Sequence, residues 1–269
     1  DIFKLYDTYG FPKEIIEEIA IENDLVLDLS GFQHLMNKQK LNSKTASNFK
    51  VDETDHEIIK HQTSFIGYAN TTSTGKVVDI VFKNQHVKQI DATDEKFYII
   101  LDRTVFYPEG GGQISDTGSI SNKNCQLHVT DVKKIQNTIV HFVQLKEGKL
   151  AVGDNVELNI DGTKRYKAAV NHSATHLMHQ SLRETLGNHV EQKGSLVTDD
   201  YLRFDFSHNK ALSNQEIEHI EAQVTSEISK SIDTQSKNMS FKEAMKLGAL
   251  AFFDEKYGDD VRVVFIGSS

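Results

Sequence analysis

The sequence predicts an α+β protein in three sections: an N-terminal helical segment over residues 1–49, a small antiparallel β-barrel-like subdomain over 50–160, and an α+β core over 161–269. Three observations predict it. Apolar residues recur at helical spacing near the N-terminus, β-branched and apolar residues alternate with polar ones through the middle, and helix-like and strand-like stretches follow one another after residue 160. A chain of 269 residues is long enough for one large domain or two small ones with real cores.

In the first section Pro12 fits the first turn of a helix, where its missing N–H costs nothing. Ile15, Ile16, Ile19 and Ala20 follow at helical spacing, with Glu14, Glu17 and Glu18 facing outward. Ser30 is read as the N-cap of a second helix carrying Phe32, Leu35 and Met36, and Asn42 to Asn48 as a loop. From residue 50 the period shortens to two. Lys76–Phe82, Gln85–Ile90, Phe97–Leu101, Ile139–Leu145 and Asn155–Ile160 read as strands, separated by turns such as Lys83-Asn84 and Glu147-Gly148-Lys149. Strands this short and this close suggest a small barrel or a curled sheet. In the last section Arg165–Leu186 reads as a long helix ending near Gly187, and Ser195–Val197 and Leu202–Phe206 as strands. Ser213 caps a helix running to about Lys230, Phe241–Leu247 is a short helix, and Val261–Ile266 closes as a strand.

Composition narrows the function. The net charge of -9 argues against a protein that coats nucleic acid. It leaves room for a local patch: Lys164, Arg165 and Lys167 read equally well as a solvated basic turn or as phosphate contacts. No run approaches the roughly 18 apolar residues of a membrane helix, and no basic-then-apolar leader opens the chain, so a cytoplasmic protein with no membrane partner is expected. Cys125, flanked by Leu127 and Val129 in a strand-like run, reads as a buried structural thiol, and a lone cysteine builds neither an intrachain disulfide nor a cysteine-rich zinc site. The first residue is Asp1 rather than Met and the last strand stops near Gly267, so both ends read as cuts in a longer chain.

Two stretches carry chemistry. In Asn171-His172-Ser173-Ala174-Thr175-His176 the histidines are four apart and share one helix face, an arrangement in which both imidazoles reach one metal. Ser173 stands where an H-E-x-x-H peptidase has its glutamate, which disfavours that class. A bare pair of this kind also occurs as surface or core histidines, and His179 reads better as packing than as a third ligand. The second stretch runs from Asp102 through Tyr107-Pro108-Glu109-Gly110-Gly111-Gly112-Gln113 to Asp116. Three glycines allow close backbone approach, and Thr104, Gln113 and Asp116 flank them. Pattern alone allows either a substrate loop or a tight hairpin, and the absence of a following Lys-Ser/Thr excludes a P-loop.

A resemblance joins these pieces. Phe3-Lys4-Leu5-Tyr6-Asp7-Thr8-Tyr9-Gly10-Phe11-Pro12 resembles the segment closing the tRNA-recognition region of bacterial-type alanyl-tRNA synthetases. Phe106 to Gln113 resembles the glycine motif of their editing domain. Asn171 to His176, with Gln192-Lys193-Gly194-Ser195 and Leu202-Arg203-Phe204-Asp205-Phe206-Ser207-His208, is similar to the editing-core signature, and Tyr257 to Val264 to the strand after it. The resemblance implies the second-additional-domain fold shared with threonyl-tRNA synthetase editing domains, and hydrolysis of seryl- and glycyl-tRNA(Ala). It implies His172 and His176 as zinc ligands, Gln113 and Thr104 as catalytic-pocket residues with Thr104 facing a serine hydroxyl, and Gly111, Gly112, Asp116 and Lys193 as substrate-binding residues. It implies zinc that either activates water or orients the substrate. The family's remaining zinc ligands come from a C-x-x-x-H motif that this sequence lacks, so the zinc site is expected to be incomplete. ATP and magnesium belong to the family's aminoacylation domain, which has no counterpart in these residues. Two other readings stand beside this one: a tRNA-binding module with weak catalysis, and an unrelated α+β protein whose histidines pack internally.

Overall fold

A computed structural model describes residues 2–7, 12–23, 25–36, 58, 60–249 and 259–266. The chain divides into two compact units, 1–52 and 53–269. The first holds three short helices: α1 (Ile2–Asp7), α2 (Lys13–Glu22) and α3 over residues 29–36. Pro12 is the N-cap of α2, its ring-fixed φ of -58° leading the chain into the first turn. Ile16 packs with Ile2 and Phe32, and Ala20 is buried, while Ile15 and Ile19 stay exposed, so the apolar face is narrower than the sequence spacing suggested. The cap of α3 falls on Asp28 rather than Ser30, because the Asp28 carboxylate accepts from both Gly31 N and Ser30 Oγ at 2.8 Å. The expected loop from Asn42 to Asn48 lies outside the described residues, as do Thr8 to Phe11 and the side chain of Glu14.

The second unit begins with β1 (Ser64–Phe65), β2 (Thr72–Phe82), β3 (Gln85–His86), β4 (Gln89–Asp91), β5 (Phe97–Leu101) and β6 (Arg103–Thr104), followed by β7 (Gly118–Asn122), β8 (Cys125–Ile135), β9 (Thr138–Ala151) and β10 (Asn155–Ile160). Six of these close a ring in the order β10, β7, β8, β9, β5, β2, all antiparallel, with β2 pairing back onto β10. Closure removes the unpaired edges that an open sheet would expose. Alternation decides which side chains fill the ring: β10 buries Val156, Leu158 and Ile160 and exposes Asn155, Glu157 and Asn159. They join Phe97, Ile99, Leu101, Ile120, Leu127 and Val143 in one core, each such side chain contributing roughly 1.5–3 kcal/mol of burial. Cys125 is in that core, and burial pushes its thiol pKa up.

The sequence reading erred here in two places. Gln85–Ile90 is two strands, β3 on β2 and β4 on β9. Glu147-Gly148-Lys149 is no turn but lies within β9, towards its end. Gly148, at φ +86°, sits beside a register shift against β8 that bends the strand, so that its far end pairs with β4.

Beyond the ring come α4 (Gly162–Leu186), β11 (Gln192–Val197), β12 (Leu202–Phe206), α5 (Asn214–Ser229), β13 (Thr234–Ser240), α6 (Phe241–Lys246) and β14 (Asp260–Ile266). Asp161 caps α4 by accepting from Thr163 N and Lys164 N, and Ser213 with Glu216 forms a capping box on α5. Leu182, Val190 and Ile220 form another core among the described residues of this unit, joined by Met178, Phe204 and Val224. It holds α4 against α5 and the β11–β12 hairpin. Among the described residues no helix is long and apolar enough to cross a membrane.

Candidate functional site

On α4, His172 and His176 lie one turn apart, and their rings stack at 5.0 Å with planes 25° apart. Both are half-buried. Burial pushes the His172 imidazole below its ordinary value. Burial pushes His176 down to about 4, with the nearby His172 and His179 adding to the effect. Both rings are therefore neutral near pH 7, the state in which an imidazole can ligate a metal or accept a proton. His179 packs its buried ring 5.0 Å from Phe204, in the contact between α4 and β12.

The glycine loop reaches these histidines by way of β11. Gly110 and Gln113 exchange backbone hydrogen bonds of 3.1 and 3.0 Å, closing a tight turn around Gly111 and Gly112, whose φ values are +59° and +76°. Val197 N donates to Gly112 O at 2.7 Å and Ile114 N donates to Val197 O at 3.0 Å, so the loop continues the β11–β12 hairpin. A glycine is required at 112 because a side chain there would collide with Ser195. The close approach that the glycines allow is to β11, and the Gln113 side chain spans the remaining gap to α4. Gln113 is buried, and its Oε1 accepts a hydrogen bond from His172 Nδ1 at 2.8 Å. That contact places the proton on Nδ1 and the lone pair on Nε2.

Other expected site residues are placed elsewhere. Thr104 is fully buried in the barrel and does not reach the cleft. His141 directs Nδ1 at Ile99 O, so its Nε2 accepts from the Thr104 hydroxyl at 2.8 Å, while that hydroxyl accepts from Phe106 N at 3.1 Å. Asp116 is also buried: one oxygen accepts from Arg165 Nε at 2.8 Å, and the other accepts from Tyr107 N at 2.8 Å and from an Arg165 Nη. Both carboxylate oxygens are thus engaged by internal partners. Arg165, read from sequence as part of either a solvated basic turn or a set of phosphate contacts, is this internal partner, whereas Lys164 and Lys167 remain exposed. Lys193 is exposed on β11 and pairs with Glu191 at 3.0 Å. No periodicity marked the Arg165–Asp116 or Thr104–His141 pairs, which bring together residues far apart in the chain.

Gly111, His172 and His176 line a cavity of about 1070 Å³ together with apolar residues such as Phe241, Met245, Val261 and Phe265 and polar ones such as Gln223, Glu227 and Arg262. Its volume lies at the upper end for small-ligand sites and suits a group larger than an amino acid. As a metal site the arrangement fits in part. Two neutral imidazoles are the right donors for zinc, and a His172 ring whose Nδ1–H is held by Gln113 presents Nε2 as a ligand should. Among the described residues no group of three His, Cys, Asp or Glu stands close enough to hold a metal ion.

Comparison with known proteins bears on the whole chain. Residues 1–164 match the family described as tRNA synthetases class II (A). The chain is 44% identical over 275 residues to the alanine–tRNA ligase of Alkaliphilus oremlandii, covering 98% of this chain and 31% of that protein. Identity is 43% over 274 residues to the enzyme of Clostridioides difficile, with 99% and 31% covered, and 41% over 266 residues to that of Pseudomonas fluorescens, with 99% and 30% covered. The chain spans about 31% of the length of such relatives, and the aligned stretch runs through the histidines that the family match stops short of. The chain belongs to the class II (A) tRNA synthetases, within which it corresponds to one stretch of the alanine–tRNA ligases.

Proposed function

We propose that this stretch is an editing domain that hydrolyses seryl- and glycyl-tRNA(Ala), with tRNA(Ala) as its partner. The observation that carries the reading is the contact between Gln113 and His172, which sets a neutral histidine pair at the wall of a large, mostly apolar cleft. An alanine pocket cannot exclude glycine, which is smaller, and rejects one extra hydroxyl weakly. Such pairs are separated by roughly 10–200-fold in a single binding step, so a second, hydrolytic site is needed.

In the reaction water adds to the ester carbonyl, the bond to the ribose oxygen breaks, and the free amino acid and the tRNA hydroxyl share the two protons of that water. Gln113 holds the His172 ring and its tautomer. His172 through Nε2, together with His176, would hold zinc, which when bound supplies a Lewis acid for that water or carbonyl. The ATP- and magnesium-dependent attachment of alanine is assigned to other parts of the full-length relatives.

The test is release of serine and glycine from mischarged tRNA(Ala) by the purified chain, with alanyl-tRNA(Ala) as control. Selective release supports the reading; equal release from all three, or none with tRNA bound, refutes it. The second outcome is what a tRNA-binding module with weak catalysis would give, a reading favoured by the two-donor histidine site.

A further inference from the structure

We infer that the outer face of α4 leads the unpaired 3′ end of a tRNA into the cleft, with Tyr166 stacking on a base and Lys164 and Lys167 meeting the phosphates. The inference rests on the hydrolytic reading of the cleft, which needs an aminoacylated 3′ end at His172. Tyr166, Val170, Ser173 and Leu177 recur every three or four residues and so share one helix face. Leu177 is the inner end of that line, in the cavity wall with His172, His176 and Gln180. The other three are exposed, Tyr166 by 72% and Val170 by 48%. A track of aromatic, apolar and small side chains therefore runs along the helix surface into the cavity.

Packing within the unit does not account for the track. The inward side of the same turns carries Arg165, which donates to Asp116, Gly67 O and Val105 O, and the buried Ala168. Tyr166 points away from these, and among the described residues its ring has no aromatic or cationic partner. Charge narrows the occupant. The chain has 39 acidic residues against 30 Lys and Arg, yet no Asp or Glu occurs from Gly162 to Arg183. The carboxylates beside the start of the helix are already engaged: Asp161 accepts from Thr163 N and Lys164 N, and Asp116 from Arg165. Lys164 and Lys167 are exposed, with no ion-pair partner among the described residues. On the neighbouring hairpin, by contrast, Lys193 pairs with Glu191 and Arg203 with Asp205. Lysines this early in a helix also sit at the positive end of its dipole, so they do not serve the helix itself.

Uncompensated cations edging an exposed aromatic ring are what an unpaired nucleic-acid strand recognises, its phosphates by charge and its bases through their π faces. An acidic protein segment would use the lysines and leave the ring idle. The spacing also suits a strand. Lys164, Lys167 and Val170 follow one another at three-residue intervals, so the cations border the track on one side. His172 lies six residues beyond Tyr166, a rise of about 9 Å. One nucleotide advances a strand by about 3.4 Å when stacked and by roughly twice that when drawn out. With the ester at His172, the base on Tyr166 therefore comes from about two nucleotides upstream, within the unpaired end.

The experiment titrates the whole chain into fluorescently labelled tRNA(Ala), either intact or lacking its last three nucleotides, over a series of salt concentrations. The unaltered chain should bind the intact tRNA more tightly than the trimmed one. Tyr166→Ala should weaken binding of the intact tRNA about tenfold and leave the trimmed one unaffected. Tyr166→Phe keeps the ring and should bind as the unaltered chain does, whereas Tyr166→Leu, apolar but without a π face, should behave as the alanine variant. Lys164→Gln and Lys167→Gln should each lower the slope of log affinity against log salt by about 0.7. These are surface positions, and circular dichroism establishes that each variant is folded. KM for serine release from seryl-tRNA(Ala) should rise in step with the binding constant of each variant. Equal binding of intact and trimmed tRNA by the unaltered chain overturns the inference, as does a Tyr166→Ala variant that binds intact tRNA undiminished. Loss of 3′-end-dependent binding in Tyr166→Ala, with no serine release even from the unaltered chain, upholds the track and sinks the hydrolytic reading. Serine release whose KM is indifferent to Tyr166 and to both lysines does the reverse.

Discussion

An added Cβ on Gly112 would stand 2.8 Å from the Cβ of Ser195, and the Gly112 backbone is at φ +76°. Two penalties therefore fall on one residue: a left-handed backbone and a collision with β11. Gly112→Ala is expected to destabilise the second unit by about 2 kcal/mol or more. Gly110 makes a built-in comparison, since a Cβ there meets nothing nearer than 3.8 Å. Urea unfolding of the two alanine variants should show a large loss for position 112 and a change within about 0.5 kcal/mol for position 110. Equal effects would show that the loop yields where the packing says it cannot.

Gln113→Leu removes the acceptor while nearly keeping the volume. His172 Nδ1 then loses its partner, a loss of about 1–2 kcal/mol in stability and of the ring's fixed orientation. Serine release from mischarged tRNA(Ala) should drop sharply, while tRNA binding persists. Gln113→His is expected to impair release as well, because an imidazole cannot place an acceptor where the longer amide does. In a full-length relative carrying either change, alanine activation should be untouched. Parallel loss of activation and hydrolysis in a folded variant would separate Gln113 from the editing reading.

Much of the fold was legible because local patterns report local structure. Asn155–Ile160 alternates strictly and is a strand with the matching faces buried. Ser213 marked a helix start, and it is the N-cap, completed by Glu216 in a capping box that the sequence reading did not include. The four-residue spacing of His172 and His176 was enough to put them on one helix face. What stayed hidden depends on chain closure. Thr104 looked like a pocket residue because it precedes the glycine motif, yet the closed ring brings it beside His141. Asp116 looked like a substrate ligand because it flanks the same motif, and its buried partner lies 49 residues away. Thr234–Ser240 escaped notice because it is polar apart from Met239: it forms a two-stranded sheet with β14 and buries no full face that would impose alternation.

His141 should make stability depend on pH. It is completely buried, and burial pushes its pKa down to about 4 from 6.5. Between those values the unfolded chain binds a proton that the folded chain refuses, so stability rises with pH across this window. The contribution is fully present above about pH 6.5, is lost as pH falls towards 4, and amounts to about 3 kcal/mol in all. His141→Gln offers Thr104 a neutral partner with no such titration. Its stability should be somewhat lower at pH 7, and its decline from pH 6.5 to 4 shallower, as read from denaturant midpoints. A variant as acid-sensitive as the parent would place the titrating group elsewhere.

Zinc is the last matter the site raises. His172 and His176 offer two neutral imidazoles, and among the described residues no third donor joins them. A catalytic zinc normally has three protein ligands, and affinity follows donor number and how far the site is formed before binding. The chain as given should therefore bind zinc weakly and reversibly, at one site. Competition against a colorimetric chelator measures this, and cobalt substitution gives an absorption spectrum that reports coordination number. His172→Ala and His176→Ala should each remove the binding. Gln113→Leu should weaken it, since Gln113 orients the His172 ring so that Nε2 is available. If zinc assists hydrolysis, treatment with a chelator should lower serine release and added zinc should restore it. Tight one-to-one binding that persists after both histidines are replaced would show that the metal sits somewhere other than this pair.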